Sequence, residues 1–310
     1  MAGRITQSMM NTQLIRNLSR NIARMEDQQN QLSTGRRINR PSDDPVGITF
    51  AMRYRSELSV NDQFLSNADA ARSWLDYSDT MLAQVGDVFQ RTRELVTQAA
   101  NGSNPQQALD AIGKEIKELY DQVVGIGNSQ FNGKYVFNGE LTDVKPYDTT
   151  VGTDPLTGEQ VFNARLNDTD PNTIKFEIGA SVMLGVNITG QQLFGTSTDA
   201  DNAFKLFEDI FKAIQNGDHQ SLSNQIGVID SRMDKILELR SDIGAKTNRL
   251  DLAEGRLSDI NTNLNTLKSK TEDADIAALI TNIKMSENVY EASLSVGSKI
   301  IQPTLLDFLR

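Results

Sequence analysis

The chain contains no cysteine, which removes disulfides, thiolate nucleophiles and zinc–sulfur sites together. A single histidine among 310 residues leaves a zinc enzyme nothing to build on. Aromatic residues make up 6%, hydrophobic residues 38%, and the mean hydropathy is -0.41. Apolar material this thin is spread along stripes rather than gathered in one spherical centre, as in long helices. No run of about eighteen consecutive apolar residues occurs, so a membrane-spanning helix is excluded. Residues 1–10 hold Arg4, Thr6, Gln7 and Ser8 with no apolar core before a small-residue cleavage site. They do not read as a secretory signal peptide, and an exported chain would leave without a cleaved signal. Basic residues are in deficit, 31 Lys and Arg against 41 Asp and Glu, for a net charge of -10. That argues against nucleic acid as a partner, because affinity for its phosphates rests on Lys and Arg.

What the sequence does have is heptad stripes at both ends. Ile15, Leu18, Ile22, Met25, Gln29 and Leu32 alternate spacings of three and four. Leu250, Ala253, Leu257, Ile260, Leu264 and Leu267 repeat the rhythm, and Ile276, Ile280, Ile283, Tyr290, Leu294 and Ile301 carry a similar stripe toward the terminus. Such seams demand a partner helix. Laying the two ends side by side as an α-helical rod is the simplest way to bury them, and whatever stays uncovered must find other subunits.

Between the stripes, Gly35 and Pro41 break the first helix, and Asp44-Pro45 reads as the N-cap and first residue of the next. Leu75, Leu82, Phe89 and Val96 mark a helix of about forty residues, stopped at Asn101-Gly102-Ser103. Asn104-Pro105 with Gln107 predicts a capped restart, whose seam is Ile112, Ile116, Leu119 and Val123, ending at Gly125-Ile126-Gly127. From Asn132-Gly133 to about Thr198 the text turns to Gly, Thr, Asp and Asn around short β-branched runs: Val161-Phe162, residues 174–178 and residues 182–189. A helix resumes near Asp201 and ends at Asn216-Gly217-Asp218, and another begins near Ser221. Glu238 and Arg240 on its polar face read as solvated surface. Ser269 and Glu272 have capping-box spacing, so a new helix or bend is expected there.

The segment Leu32-Ser33-Thr34-Gly35-Arg36-Arg37-Ile38-Asn39-Arg40-Pro41-Ser42-Asp43-Asp44-Pro45, followed by Val46-Gly47, resembles the N-terminal signature of the flagellin superfamily. In the form Pro41-Ser42-Asp43-Asp44-Pro45 it resembles the hook–filament junction branch, the hook-associated protein 3 family, rather than filament flagellins. Arg4-Ile5-Thr6 with Met9 and Met10, residues 131–139, and the run from Asp273-Ala274-Asp275-Ile276 to Leu305-Leu306-Asp307-Phe308-Leu309-Arg310 are similar to that family at the corresponding places. The resemblance implies a structural protein of the flagellar exterior, passed unfolded through the flagellar export channel. Its implied partners are copies of itself in a junction layer, the other hook-associated junction protein, flagellin, and an export chaperone over the C-terminal stripe. It implies no cofactor.

The remaining chemical candidates are weak. His219, in Gly217-Asp218-His219-Gln220, reads as a solvated loop residue, and no nucleophile-elbow pattern accompanies it. Asp168-Thr169-Asp170-Pro171-Asn172 opens like a calcium loop, but Thr173 stands where an EF-hand needs glycine and Gly179 where it needs glutamate. Arg36, Arg37 and Arg40 form the conspicuous basic cluster, equally consistent with ion pairs and with solvation. The apolar tail with Leu305, Leu306, Phe308 and Leu309 is interrupted by Pro303 and poorly supplied with cations, which favours packing in an assembly over a membrane surface.

The expectation is a mainly α protein with an inserted β domain, divided as residues 1–44 and 271–310 (assembly helices and signature loop), 45–130 and 200–270 (helical rod), and 131–199 (β domain). The assembly interface is expected at the stripes Ile15–Leu32 and Ile276–Ile301 and at the tail. The signature loop comprises Gly35, Arg36, Arg37, Asn39, Pro41, Asp43, Asp44 and Pro45. The alternatives are a filament flagellin, or an extracellular enzyme carried on a flagellin scaffold.

Overall fold

The computed structural model describes residues 7–102, 104–149, 151–153 and 160–301. The chain is mainly helical with a small β-containing insertion, as its stripes require. The helices are α1 (Gln7–Thr34), α2 (Pro45–Ala100), α3 (Gln106–Gly127), α4 (Gly190–Phe194), α5 (Ala203–Asn216), α6 (His219–Glu272) and α7 (Ile276–Ile301). The strands are β1 (Gln130–Phe131), β2 (Lys134–Tyr135), β3 (Val151–Thr153), β4 (Gln160–Phe162), β5 (Lys175–Glu177) and β6 (Met183–Gly185). They pair as three separate antiparallel two-stranded ladders, β1-β2, β3-β4 and β5-β6. The turn between β1 and β2 is Asn132-Gly133, with φ of 51° and 77°, which are the left-handed values a tight hairpin needs.

The chain divides into two compact units, residues 1–60 with 259–310 and residues 61–258. The second holds the larger core. Leu75, Leu82, Phe89 and Val96 of α2 are fully buried, one every seven residues, in one cluster with Ile112, Ile116 and Val123 of α3. Leu119 is only half-buried, and the inward position beside it belongs to Tyr120. From there an aromatic chain crosses the core: Phe89 packs edge-on to Phe207, Phe207 and Phe204 pack on Tyr120, and Phe204 meets Tyr147 at 4.8 Å and Phe194 at 5.0 Å between ring centroids. Gly127 allows this approach, because a Cβ there would stand 2.8 Å from the Tyr147 ring. Residues of the 131–199 segment and of the flanking helices therefore share one core.

Polar contacts align α2 with α6 inside this unit. Asn61 donates to the Leu257 carbonyl at 2.9 Å, Arg72 reaches Glu254 at 2.7 Å, Arg93 reaches Asp230 at 2.6 Å, and Arg240 reaches Asp79 at 2.9 Å. Partly exposed pairs of this kind contribute roughly 0–1 kcal/mol each, so they fix alignment more than stability.

Several local expectations need correction. The helix beginning at Pro45 runs for 56 residues rather than about forty, because nothing breaks its pattern before Asn101. Asn104 does not cap α3; its side chain turns back to the Gln98 and Asn101 carbonyls, and Pro105 precedes the helix without a side-chain cap. Arg240 is ion-paired rather than simply solvated. The bend expected at Ser269 comes later, since α6 continues to Glu272 and Asp275 caps α7 through the Ala278 amide at 3.0 Å. His219 is the half-buried first residue of α6, with Nδ1 3.0 Å from the Ala99 carbonyl, not a solvated loop residue.

Candidate functional site

The first unit holds both terminal helices and the signature loop. α1 and α7 lie antiparallel: Leu14 faces Gly297, and farther along α1 the Asn21 side chain donates to the Ser286 carbonyl at 3.1 Å. The covered positions alternate by three and four on both helices. On α1 they are Asn11, Leu14, Leu18, Asn21, Met25 and Gln28, and on α7 Leu279, Ile283, Ser286, Tyr290, Ser293 and Gly297. This seam is rich in amides, hydroxyls and a glycine. Ser286 Oγ bonds Gln28 at 3.2 Å, while Asn11 Oδ1 is buried without a hydrogen-bond partner among the described residues.

Of the expected α1 stripe, Leu18 and Met25 turn into the seam, whereas Ile15, Ile22 and Leu32 are exposed, Ile15 at 65%. Of the α7 stripe, Ile283 and Tyr290 turn inward and Ile276, Ile280 and Leu294 are exposed. At about 100° per residue, Ile15 and Ile22 sit roughly a quarter-turn from the seam, and so do Ile276, Ile280 and Leu294. Because the helices are antiparallel, both displaced rows open on the same side. A cleft of ≈ 260 Å³ lined by Ile22, Met25, Glu26, Gln29 and Tyr290 lies between them. The terminal pair thus leaves apolar side chains of both helices exposed on one side, interspersed with Glu26, Gln29 and Glu287. Ile301 ends α7, but its side chain and the residues Leu305, Leu306, Phe308 and Leu309 lie outside the described residues.

The signature loop is a clasp on the α6–α7 turn. Gly35, at φ +69°, ends α1 in the left-handed conformation that glycine adopts freely. Its carbonyl accepts the Ala274 amide at 3.0 Å, and the Arg37 amide donates to the Glu272 carbonyl at 2.7 Å. The Glu272 carboxylate, 1% exposed as a residue, pairs with Arg36 at 2.7 Å and with Arg55 of α2. Arg37 Nη2 donates to the Thr271 carbonyl at 2.8 Å, close to the negative end of α6. Arg36 and Arg37 are therefore intrachain contacts, while Arg40 lines a small polar cleft with Asp27, Asn30, Gln31, Asn39 and Asp43.

Within the loop, Pro41 follows the first residue of a turn closed by the Asp43 amide on the Arg40 carbonyl at 3.0 Å. The Asp43 carboxylate accepts the amides of Asn39 at 3.0 Å and Arg40 at 2.8 Å. Those two amides, Arg40's first, hold its carboxyl below the usual range. Asp44 caps α2 through the Gly47 amide at 2.9 Å. A Cβ at Gly47 would stand 2.6 Å from buried Ile38, so only glycine fits.

Sequence reasoning passed over Asn21, Gln28 and Ser286, polar residues that carry no hydrophobic signal, and read Glu272 only for its capping-box spacing with Ser269. The other candidates resolve into local structure. Asp168 accepts the Ser197 amide and hydroxyl, and Asp170 the amides of Glu140 and Asn172, so this segment is a braced turn. Among the described residues no group of three His, Cys, Asp or Glu side chains is placed to hold a metal ion, and no helix is long and apolar enough to cross a membrane.

Comparison with known proteins places these features. The profile of the bacterial flagellin N-terminal helical region matches residues 5–142, and that of the C-terminal helical region matches residues 226–309. The chain is 26% identical over 305 residues to a flagellin of Bacillus subtilis, covering 94% of this chain and 93% of the relative. It is 22% identical to flagellar hook-associated protein 3 of Escherichia coli, covering 94% of each. The solved flagellar junction protein FlgL of Legionella pneumophila shares the fold at a TM-score of 0.56 and 17% identity, over 72% of this chain and all of that one. With both of its terminal helical regions matched and joined as described, this chain belongs to the bacterial flagellin family.

Proposed function

We propose that the chain forms the junction layer between hook and filament of the bacterial flagellum. As a flagellin-family member it is a structural subunit of the extracellular flagellum, not an enzyme. The observation that carries assembly is the set of apolar residues that the terminal pair leaves in water on one side, Ile15, Ile22, Ile276, Ile280 and Leu294. Covering such surface contributes roughly 25 cal/mol per Å², and the polar seam of α1 and α7 provides little cover of its own. Ile301 and the tail Leu305–Leu309 extend the same interface in this reading.

The position at the junction is supported by the Pro41-Ser42-Asp43-Asp44-Pro45 clasp and by the likeness to hook-associated protein 3 and to FlgL. The chain would stand on the other hook-associated junction protein and seat flagellin above it, after a chaperone has shielded the C-terminal stripe before export. Residues 1–44 and 271–310 would make the assembly contacts, with 45–130 and 200–270 as the helical body and 131–199 as the outer insert. The similarity to Bacillus subtilis flagellin favours a filament subunit as the second reading. Immunogold labelling of intact flagella decides between them: label confined to the hook–filament boundary is expected, and label along the filament overturns the junction assignment.

A further inference from the structure

Asparagine stands before glycine at four places in the chain, 101, 132, 138 and 216. Such a pair is open to attack on the asparagine side-chain amide by the next backbone nitrogen, because glycine has no Cβ to crowd the approach. The structure sets the four apart. Asn138 is buried, with Nδ2 donating to the carbonyls of Leu141 at 3.1 Å and Val144 at 3.0 Å and Oδ1 accepting the Asp170 amide. The Gly217 amide is engaged with the Ile214 carbonyl at 3.2 Å, and Asn132 is held in the β1-β2 turn. Asn101 and Gly102 are exposed just past α2, and the Gly102 amide meets no acceptor among the described residues. Beside them lies the imidazole of His219. Its Nδ1 is 3.0 Å from the Ala99 carbonyl. A carbonyl can only accept, so Nδ1 carries the proton and Nε2 of the neutral ring is left as a base. That edge of the ring is turned to Gly102, where a Cβ would stand 3.7 Å from Cδ2 and 3.9 Å from Nε2. Gly217, although close in sequence, faces Gln106 instead. Residues 95–109 and 213–229 bring the ring one other ionisable side chain, Asp218, whose carboxylate accepts the amides of Gln220 and Ser221.

We propose that Asn101-Gly102 is a self-modifying site, deamidated with His219 Nε2 as the base acting through one water. The Gly102 nitrogen attacks Asn101 Cγ and forms a new N–C bond. Its proton passes through the water to Nε2 and on to Nδ2, the Cγ–Nδ2 bond breaks, and ammonia leaves. Water then opens the cyclic imide at either carbonyl, giving aspartate or isoaspartate at 101. Water is the sole co-reactant, and the chemistry is independent of where in the flagellum the chain stands. Either product sets a carboxylate at the negative end of a 56-residue helix, which disfavours its last turn. Isoaspartate also lengthens the backbone between α2 and α3. In a subunit outside the cell the change accumulates with the age of the flagellum.

The test incubates the purified full chain at neutral pH and digests samples over time. Mass spectrometry with electron-transfer fragmentation follows each Asn-Gly pair and separates isoaspartate from aspartate. Conversion at 101 is expected on the order of tenfold faster than at 132, the exposed pair in the hairpin, a smaller gain than a base in direct contact gives. His219→Gln should bring 101 down to the rate at 132 and leave 132 and 138 unchanged. A ring that merely braces the end of α2 would act the other way, since its loss would loosen the segment and speed conversion. The unaltered chain supplies a second readout that needs no variant. With rising pH the rate at 101 should level off once the imidazole is neutral, while the rate at 132 keeps climbing with hydroxide. Conversion at 101 no faster than at 132, an equal or higher rate in His219→Gln, or a pH profile at 101 that climbs in parallel with 132 would each overturn the proposal.

Discussion

The Arg36 guanidinium lies 2.7 Å from a Glu272 carboxylate that has almost no exposure to water. Through this one side chain, the loop after α1 and the first turns of α2 are tied to the end of α6, because Arg55 holds the same carboxylate. Both arginines keep much of their own hydration, at 51% and 40% side-chain exposure. Replacing Glu272 by alanine should therefore cost about 1.5–3 kcal/mol, the range for a charged hydrogen bond, rather than the larger penalty of a fully buried broken pair. Amide hydrogen exchange at residues 35–38 should accelerate accordingly, and unchanged protection would remove Glu272 from this role.

Leu82 sits at the centre of the α2 core and has no exposed surface. Truncation to alanine should destabilise the second unit by roughly 2–5 kcal/mol, combining lost transfer energy with a cavity. The denaturant midpoint of the purified chain measures it, and a shift worth under 1 kcal/mol would contradict the packing.

The 131–199 segment differs in composition from its flanks, which suggests that a short Gly-Ser linker could replace it without loss of helix. The shared core predicts otherwise. Phe204 would lose the Tyr147 and Phe194 rings that pack on it, and Tyr120 would lie beside the resulting gap. We expect the shortened chain to lose cooperative unfolding of residues 61–258. Phe194→Ala, a smaller lesion at the same place, should cost about 3–5 kcal/mol. A shortened chain with an unchanged urea transition would show the insert to be dispensable.

Asp43 gives the clasp a defined acid sensitivity. Its folded-state pKa is lowered, chiefly by the Arg40 and Asn39 amides. The stabilisation is thus fully present above the unfolded value of about 3.9 and is lost as pH falls through the lower folded value. Exchange protection at Asn39 and Arg40 should drop over that acidic window in the native chain. In Asp43→Asn it should already be weak at neutral pH and change little on acidification. Equal acid profiles for the two chains would rule the linkage out.

Much of this architecture can be read from local chemistry. Gly35, Pro41, Asp44 and Pro45 announce the stop, the turn, the cap and the restart that the structure contains, and the seven-residue spacing from Leu75 to Val96 announces the α2 core. The terminal stripe was legible only in part, for a physical reason. Apolar periodicity finds surfaces that avoid water, whether a neighbouring helix or another subunit covers them. Ile15 and Ile22 therefore stood out, while Asn21 and Gln28, which face α7, did not. The meeting of Tyr147 and Phe194 with Phe204 of α5 was illegible because Tyr147 lies in an irregular segment and Phe194 ends a five-residue helix too short to show a period. The pairing of Glu272 with Arg36 and Arg55 stayed hidden because those partners lie far away along the chain.

The polar seam between α1 and α7 acts as a vernier. Leu14 is seated where only the bare backbone of Gly297 leaves room, and Asn21 meets the Ser286 carbonyl. Sliding α7 by one heptad would push Leu14 onto Tyr290 and set the Asn21 amide against Leu279. Misalignment would then cost a steric clash at one notch and about 1–3 kcal/mol for a buried amide without a partner at the other. A wholly aliphatic seam would hold harder but tolerate that slip. These two notches give up adhesion for alignment, so every copy offers its neighbours the same surface in the same place.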